Sequence, residues 1–229
     1  MQGVWRWKHD NKKRLEEESY YDFSDLPIQS SDGYARVTYL YDSAGHLVEK
    51  AYFGADGART LIKRGHAKET RVYDDYGQLI SIAYFGIKGE PIASQEGYSR
   101  VLKEYDNDGN EVRDRYYDAA GKRTVRVDGY AGFATKYDAS GNQIEFGYLT
   151  AMDEPMLCKE RYATVRMKYD AQGNALETSY FNMHGKLTNS YRGFARSVRT
   201  YNELGKITSE FYFDVNGKLV PQFNDKVPR

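Results

Sequence analysis

Cysteine and proline are scarce in this 229-residue chain, and neither sign of charge is in excess. The single cysteine, Cys158, excludes a framework of internal disulfide bonds. The 33 basic and 33 acidic residues cancel, whereas nucleic-acid-binding proteins normally carry a basic excess. No apolar stretch approaches the roughly 18 residues of a membrane-spanning helix. We therefore expect neither nucleic-acid binding nor membrane insertion.

The N-terminal segment 1–18 carries many charges but lacks the apolar core of a secretory signal. One cysteine fits a reducing compartment, yet many bacterial surface proteins also contain little or no cysteine. The sequence therefore leaves the localisation unknown. We favour the cell surface or secretion as part of a larger protein, with the cytoplasm as the alternative.

Tyrosine and glycine are abundant, with 22 and 21 residues, and aromatic residues make up 15% of the chain. This composition is typical of β-structure. The aromatic residues and glycines are also regularly spaced. A phrase of the form Tyr–Asp–x–x–Gly recurs at a step of 32 residues, with Asn in place of Asp in its last copy. Its tyrosines are Tyr41, Tyr73, Tyr105, Tyr137, Tyr169 and Tyr201, and its glycines are Gly45, Gly77, Gly109, Gly141, Gly173 and Gly205.

The constant step divides the chain into seven repeats without an insertion or deletion. We predict one repeat domain over 1–229 in which neighbouring repeats contact each other in one fixed geometry, because an extra residue would break the register. The first repeat is degenerate and has Lys13 in place of the motif glycine. The repeats span 1–32, 33–64, 65–96, 97–128, 129–160, 161–192 and 193–224, followed by a tail at 225–229.

Each repeat contains a second phrase twelve residues after the first, such as YDAAGK at 117–122 after YDNDGN at 105–110. Asp followed three residues later by Gly is typical of a type I turn in a hairpin. Between the turns, apolar and polar residues alternate as in half-buried strands. We therefore predict an all-β fold: an elongated, β-solenoid-like array of seven double-hairpin repeats. We expect the motif tyrosine to hold one repeat against the next.

The phrase Tyr-Asp-x-x-Gly-Asn at 105–110, 137–142 and 169–174 resembles the YD (RHS-type) repeats of bacterial surface and toxin-shell proteins. The segment FYFDVNGKL at 211–219 is also similar to the tyrosine-rich hairpins of cell-wall-binding repeats, and more distantly to MORN-type hairpins. The resemblance covers nearly the whole chain. It implies a non-catalytic, extended β array that serves as a shell, a stalk or a binding surface.

Residues for catalysis or metal binding do not converge. The four histidines, His9, His46, His66 and His184, occupy four different positions of the repeat and lack partners at metal-ligand spacing. Cys158 has no plausible base near it in sequence. We predict no catalytic residue, no metal site, no cofactor and no enzymatic activity.

Two recurring charged positions have structural interpretations. The motif aspartates, of which Asp42 is the first, could either ligate calcium or cap their own turns. We favour capping because Asn202 replaces the acid in the last repeat with the turn pattern intact. The basic positions could meet an acidic polymer, but later glutamates offer ion-pair partners, which we favour. The basic residues are Arg36, Lys68, Arg100 and Arg196, and the glutamates are Glu49, Glu145 and Glu177.

Aromatic residues supply the remaining candidates. The column that begins with Tyr52 and recurs every 32 residues is expected to form the core between repeats rather than contact a ligand. Aromatic residues outside this column have less structural need, and we assign them as candidate binding residues; for Trp5 and Trp7, a cap on the array and a contact with an upstream domain are equal alternatives. They are Trp5, Trp7, Tyr39, Tyr76 and Phe133. A further candidate is the segment LTAMDEPMLCKERYA at 149–163, where the repeat pattern is irregular.

Two classes of function remain. The first is a module that binds a glycan, a cell-wall polymer or a protein partner through its repeated surface. The second is a structural spacer or shell segment of a larger surface or toxin-like protein. End-to-end self-association or flanking domains are compatible with either, because exposed end strands need to be covered.

Overall fold

The computed structural model describes residues 3–221, and these hold fourteen β-strands and no α-helix. This confirms the predicted all-β tandem array of hairpins. The predicted tail at 225–229 lies outside the described residues. The strands are β1 Val4–His9, β2 Leu15–Tyr21, β3 Arg36–Tyr41, β4 Leu47–Phe53, β5 Lys68–Tyr73, β6 Leu79–Phe85, β7 Arg100–Tyr105, β8 Glu111–Tyr117, β9 Gly132–Tyr137, β10 Gln143–Leu149, β11 Thr164–Tyr169, β12 Ala175–Phe181, β13 Arg196–Tyr201 and β14 Ile207–Phe213.

The chain forms two compact units: Met1–Lys103 with Arg115–Gly129, and Glu104–Asp114 with Tyr130–Arg229. Strands β1–β6 belong to the first and β9–β14 to the second, and in each the strands lie side by side in chain order and antiparallel. Each repeat contributes one hairpin, for example β3 with β4, which pairs from Arg36↔Phe53 to Tyr41↔Leu47. Consecutive hairpins pair over a shorter stretch, as in Glu17↔Thr38 to Ser19↔Arg36.

The hairpin turns form because aspartate and glycine each satisfy a local requirement. In the turn after β3, the Asp42 carboxylate accepts hydrogen bonds from the backbone N–H groups of Gly45 and His46, both at 2.8 Å. Gly45 has φ 99°, a left-handed conformation that costs glycine little. Asn202 caps its turn in the same way through the N–H groups of Leu204 and Lys206. These contacts confirm that the motif acids cap their own turns.

The first six repeats each contain a third turn that was not predicted from the sequence. In repeat 33–64, the chain leaves β4, forms an isolated bridge between Phe53 and Arg59, and turns again at Ile62. The third turn closes through the Gly65 N–H to the Ile62 carbonyl at 2.8 Å. The double hairpin is therefore a two-stranded hairpin followed by a short returning segment with its own turn.

Third turns of neighbouring repeats are joined by backbone hydrogen bonds. The Lys63 N–H donates to the Asp32 carbonyl at 2.9 Å, and the Gln95 N–H donates to the Arg64 carbonyl at 2.8 Å. In the second compact unit, the Tyr191 N–H donates to the Glu160 carbonyl at 2.8 Å. The third turns thus form a second line of contact beside the strand pairing.

Small residues open each repeat because the backbone there is enclosed on both sides. Ala35 donates its N–H to the Phe53 carbonyl and accepts the Tyr20 N–H, both at 2.8 Å. Its exposed fraction is 2%, so a larger side chain would have to displace packed neighbours. The same position is buried in later repeats, at Ala67, Ser99, Ala131, Ala163 and Ala195.

Candidate functional site

The most regular constellation of side chains is a column of aromatic rings between the strands and the third turns. In the first compact unit, Tyr34 lies 5.6 Å from Tyr20 and 5.2 Å from Tyr52, measured between ring centroids. The column alternates one ring from a second strand with one ring from a third turn. Its remaining neighbours in that unit are Tyr52–His66, His66–Tyr84, Tyr84–Tyr98 and Tyr98–Tyr116.

The second compact unit repeats this arrangement. Phe194 lies 5.8 Å from Tyr180 and 4.6 Å from Tyr212, and Tyr162 lies 4.7 Å from Tyr180. Burial raises the pKa of Tyr212 to about 12, so this phenol stays protonated at neutral pH. These contacts show the expected packing role of the tyrosines at the Tyr52 position.

The rings that the third turns contribute to this column were not predicted from the sequence. Its third-turn members carry the same 32-residue step, and a glycine stands directly before most of them, which is a signal that could have revealed the third turn. Tyr34 follows Gly33, and Phe194 follows Gly193. The third-turn members are Tyr34, His66, Tyr98, Tyr130, Tyr162 and Phe194.

The motif tyrosines form a separate contact between repeats. The Tyr41 hydroxyl donates to the Leu15 carbonyl of the preceding repeat at 3.0 Å, and the Tyr73 hydroxyl donates to the Leu47 carbonyl at 3.2 Å. Tyr169 and Tyr201 make the same bond at 2.9 Å, to the carbonyls of Gln143 and Ala175 respectively. Each of these four hydroxyls thus joins its repeat to the preceding one.

The basic positions also turn toward the preceding repeat. The Arg36 guanidinium lies 3.2 Å from the Glu17 carboxylate and 4.2 Å from the ring centre of Phe53. Arg196 repeats both contacts, with Glu177 at 3.3 Å and the Phe213 ring at 4.7 Å. Lys68 lies 3.3 Å from Glu49 and 4.8 Å from the Phe85 ring. Ion pairing is thus the arrangement at these positions, as predicted.

Four of the five candidate binding residues lie in the first compact unit, and Phe133 lies in the second. Trp5 and Trp7 lie together on β1, with ring centroids 6.2 Å apart and exposed fractions of 48% and 58%. Trp5 also contacts Tyr20 at 4.0 Å, so it covers the first ring of the aromatic column. The role of all five residues in binding stays a prediction.

Tyr39 is partly buried and packs against Val37, Tyr52 and Ile62. Tyr76 stands at the tip of a hairpin turn with an exposed fraction of 90%. Phe133 lies on β9 in the second compact unit, 5.6 Å from Phe146. Tyr39 is therefore placed in the core, whereas Tyr76 is placed in solvent.

The irregular segment at 149–163 keeps the regular turn geometry. Asp153 and Arg161 take the positions of turn glycines with φ 63° and 68°, and Lys13 does so in the first repeat with φ 62°. Burial raises the pKa of the Cys158 thiol, which makes it a poorer nucleophile at neutral pH. Residues 3–221 contain no cluster of three or more histidine, cysteine or acidic side chains able to hold a metal ion.

His66 is the most unusual member of the aromatic column. Its exposed fraction is 2%, and neither ring nitrogen makes a well-aligned hydrogen bond among the described residues, although a backbone contact with Arg64 opposes the effect of burial on its pKa. It borders a pocket of about 230 Å³. Burial lowers the pKa of His66 from its usual 6.5, so the imidazole is neutral at pH 7.

No helix within the described part of the chain has the length and apolar character to cross a membrane.

No protein family matches the chain, and no curated protein does. Among solved structures, the crystal structure of TcdB2-TccC3 is similar with a TM-score of 0.42 and 13% identity, over 92% of this chain and 10% of that one. TcdB2-TccC3-Cdc42 gives 0.39 and 10%, over 93% and 12%. The Photorhabdus luminescens Tc holotoxin pore with a mutated TccC3 gives 0.35 and 11%, over 93% and 12%. This chain thus spans about a tenth of the length of each.

Proposed function

We propose that this chain is a non-catalytic structural repeat segment of the YD (RHS) type, acting as a spacer or shell segment of a larger protein. The supporting observation is that the repeated functional groups are bound to neighbouring repeats. The Tyr169 hydroxyl donates a hydrogen bond to the Gln143 carbonyl, and the Arg196 guanidinium forms an ion pair with Glu177, each in the preceding repeat. A module that binds a polymer through its repeated surface needs such groups free to face the ligand.

The energetics favour the same function. A hydroxyl-to-carbonyl hydrogen bond contributes about 0.5–1.5 kcal/mol to stability, and aromatic pairs add about 0.5–1.5 kcal/mol beyond their buried area. Because both contacts recur from repeat to repeat, their sum stabilises the array in proportion to its number of repeats. Stability alone therefore accounts for the recurrence of these residues, without a ligand.

The test is retention of the purified chain on insoluble polysaccharides and bacterial cell walls, with albumin as the reference protein. A structural segment passes through every matrix together with albumin. Specific retention that a soluble neutral sugar competes away, and that H66Y leaves unchanged, would overturn the structural role and make the chain a carbohydrate-binding module. Circular dichroism of the same sample ensures that the chain applied to the matrix is folded.

A binding module for a glycan or protein partner is the second candidate, and the stacked, half-exposed Trp5 and Trp7 favour it. Paired aromatic faces at a surface are suited to sugars and to protein anchors. If the chain is retained on a matrix, W5A with W7A should abolish retention. Phe23 is 78% exposed, so F23A is the matched control and should leave retention unchanged.

A further inference from the structure

We propose that the pocket at His66 binds a small hydroxylated oxyanion, the chemistry shared by a uronic acid and a sugar phosphate. The pocket lies within the first compact unit, between the third turns that precede Tyr34 and His66. Its volume of about 230 Å³ is below the roughly 300–1,000 Å³ of pockets for drug-sized ligands. The ligand is therefore about the size of one sugar residue.

The His66 imidazole is buried with little hydrogen bonding. Buried polar groups are almost always hydrogen-bonded, yet neither ring nitrogen of His66 makes a well-aligned hydrogen bond among the described residues, and the side chain is 2% exposed. A backbone contact with Arg64 can serve at most one of the two nitrogens. A neutral imidazole offers one N–H donor and one acceptor nitrogen. A ligand hydroxyl both donates and accepts, so hydroxyl groups meet both requirements.

Histidine stands at position 66, where the neighbouring repeats have tyrosine. The equivalent positions in the neighbouring repeats are Tyr34 and Tyr98, which pack in the same column as His66. A phenol would occupy this position with one polar group at the tip of the ring, whereas an imidazole brings two polar nitrogens into the core. The exchange of a phenol for an imidazole thus places two polar ring atoms at this pocket, beside Lys50, Lys63 and Arg64.

The side chains that line the pocket carry an excess of positive charge. Lys50, Lys63 and Arg64 line the pocket, and none of them has an acidic group within ion-pair distance among the described residues. Of the two acids that also line it, Glu69 is bound to Arg71 at 2.6 Å, which leaves Asp32 alone against three cations. The excess positive charge favours an anion, because charge-assisted hydrogen bonds to oxyanions are the stronger kind.

The experiment titrates the full chain with four probes: glucuronate, glucose 6-phosphate, inorganic phosphate and glucose. Binding is followed by calorimetry and by the ¹⁵N side-chain signals of His66. Glucuronate or glucose 6-phosphate is expected to bind, to shift these signals, and to bind at least tenfold more tightly than glucose or phosphate. Tighter binding of glucuronate would identify a uronic acid as the ligand, and tighter binding of glucose 6-phosphate would identify a sugar phosphate. Equal affinity for inorganic phosphate would overturn the requirement for hydroxyls, and no binding of any probe would overturn the site.

Variants separate the site from the fold. H66Y introduces the residue of the neighbouring repeats, so it should fold, and it should weaken binding at least tenfold. The exposed pair K63A with R64A should do the same, whereas K12A, which removes one exposed charge elsewhere, should not. Unchanged binding in H66Y would overturn the proposal. The site is independent of the structural role proposed above, because the pocket forms at one place in the array, where the first three repeats meet, and the contacts between later repeats do not involve it.

Discussion

The hydroxyl of Tyr41 donates a hydrogen bond to the backbone carbonyl of Leu15, 26 residues earlier in the chain, at 3.0 Å. Since Leu15 begins the second strand of the preceding repeat, this bond connects two repeats through a residue that belongs to the recurring turn phrase. The same residue thus ends a strand, precedes a capped turn and fixes the spacing to its neighbour. This combination of roles explains why the phrase recurs at a constant step.

Removal of one such hydroxyl should weaken the array measurably. Y73F keeps the ring but deletes the bond to the Leu47 carbonyl, and we expect the free energy of unfolding in urea to fall by about 0.5–1.5 kcal/mol. Y76F removes a hydroxyl from a 90% exposed ring and should change stability by less than about 0.5 kcal/mol. Equal effects of the two changes would show that the bond to Leu47 contributes nothing.

The turn aspartates should make the fold sensitive to acid. Hydrogen bonds from the Asn142 side chain and backbone lower the pKa of Asp138 from its usual 3.8, and the Asn110 and Asn174 side chains act likewise on Asp106 and Asp170. A carboxylate with a lowered pKa stabilises the folded state above its unfolded pKa, and that stability is lost as the pH falls through the folded pKa.

We therefore expect the free energy of unfolding to decline as the pH falls below about 4. D138N should retain the backbone capping bonds, as Asn202 does, and should reduce the slope of this decline. The measurement is urea unfolding between pH 6 and pH 3. A slope that is identical in the variant and the parent chain would contradict the role of Asp138.

His66 should add a second pH dependence at higher pH. Because burial lowers its pKa from 6.5, the folded state disfavours protonation, and stability contributed by the neutral ring is lost as the pH falls through the unfolded pKa of about 6.5. Unfolding of the unliganded chain should therefore become easier between pH 7 and pH 5. H66Y should remove this part of the decline, and H184Y, at a site in another turn, should not.

Left-handed residues other than glycine mark places where stability can be gained. Arg161 has φ 68° and Asp153 has φ 63°, and such conformations cost roughly 1 kcal/mol or more for most residues. Aspartate tolerates them better than arginine. We expect R161G to raise the free energy of unfolding by about 0.5–1 kcal/mol, and D153G to raise it by less. A gain from D153G that exceeds the gain from R161G would contradict this account.

The sequence was most informative where one residue type has one physical reason. Gly45 and Asp42 recur because a turn demands them, and their roles could be predicted from spacing alone. The third turn was missed because the rings that follow it vary in type, as in Tyr34, His66 and Phe194, although the glycine before most of them recurs at the same step. The packing of Tyr39 on the core could not be predicted from alternation along β3. It depends on Ile62 in the returning segment, which is distant from Tyr39 in sequence.

The most direct test of the account is removal of one complete repeat. Deletion of the 32 residues 33–64 brings Tyr73 to the place of Tyr41 and Lys68 to the place of Arg36, opposite Leu15 and Glu17. Deletion of 31 residues, 34–64, leaves one extra residue at the new junction and shifts each contact between the first repeat and the next by one position, which in a strand turns side chains to the opposite face. The account predicts a β circular dichroism spectrum and a cooperative thermal transition for the first deletion, and a lower transition temperature with loss of the first repeat's contacts for the second. Equal tolerance of the two deletions would contradict the claim that the repeated residues hold neighbouring repeats in one fixed register.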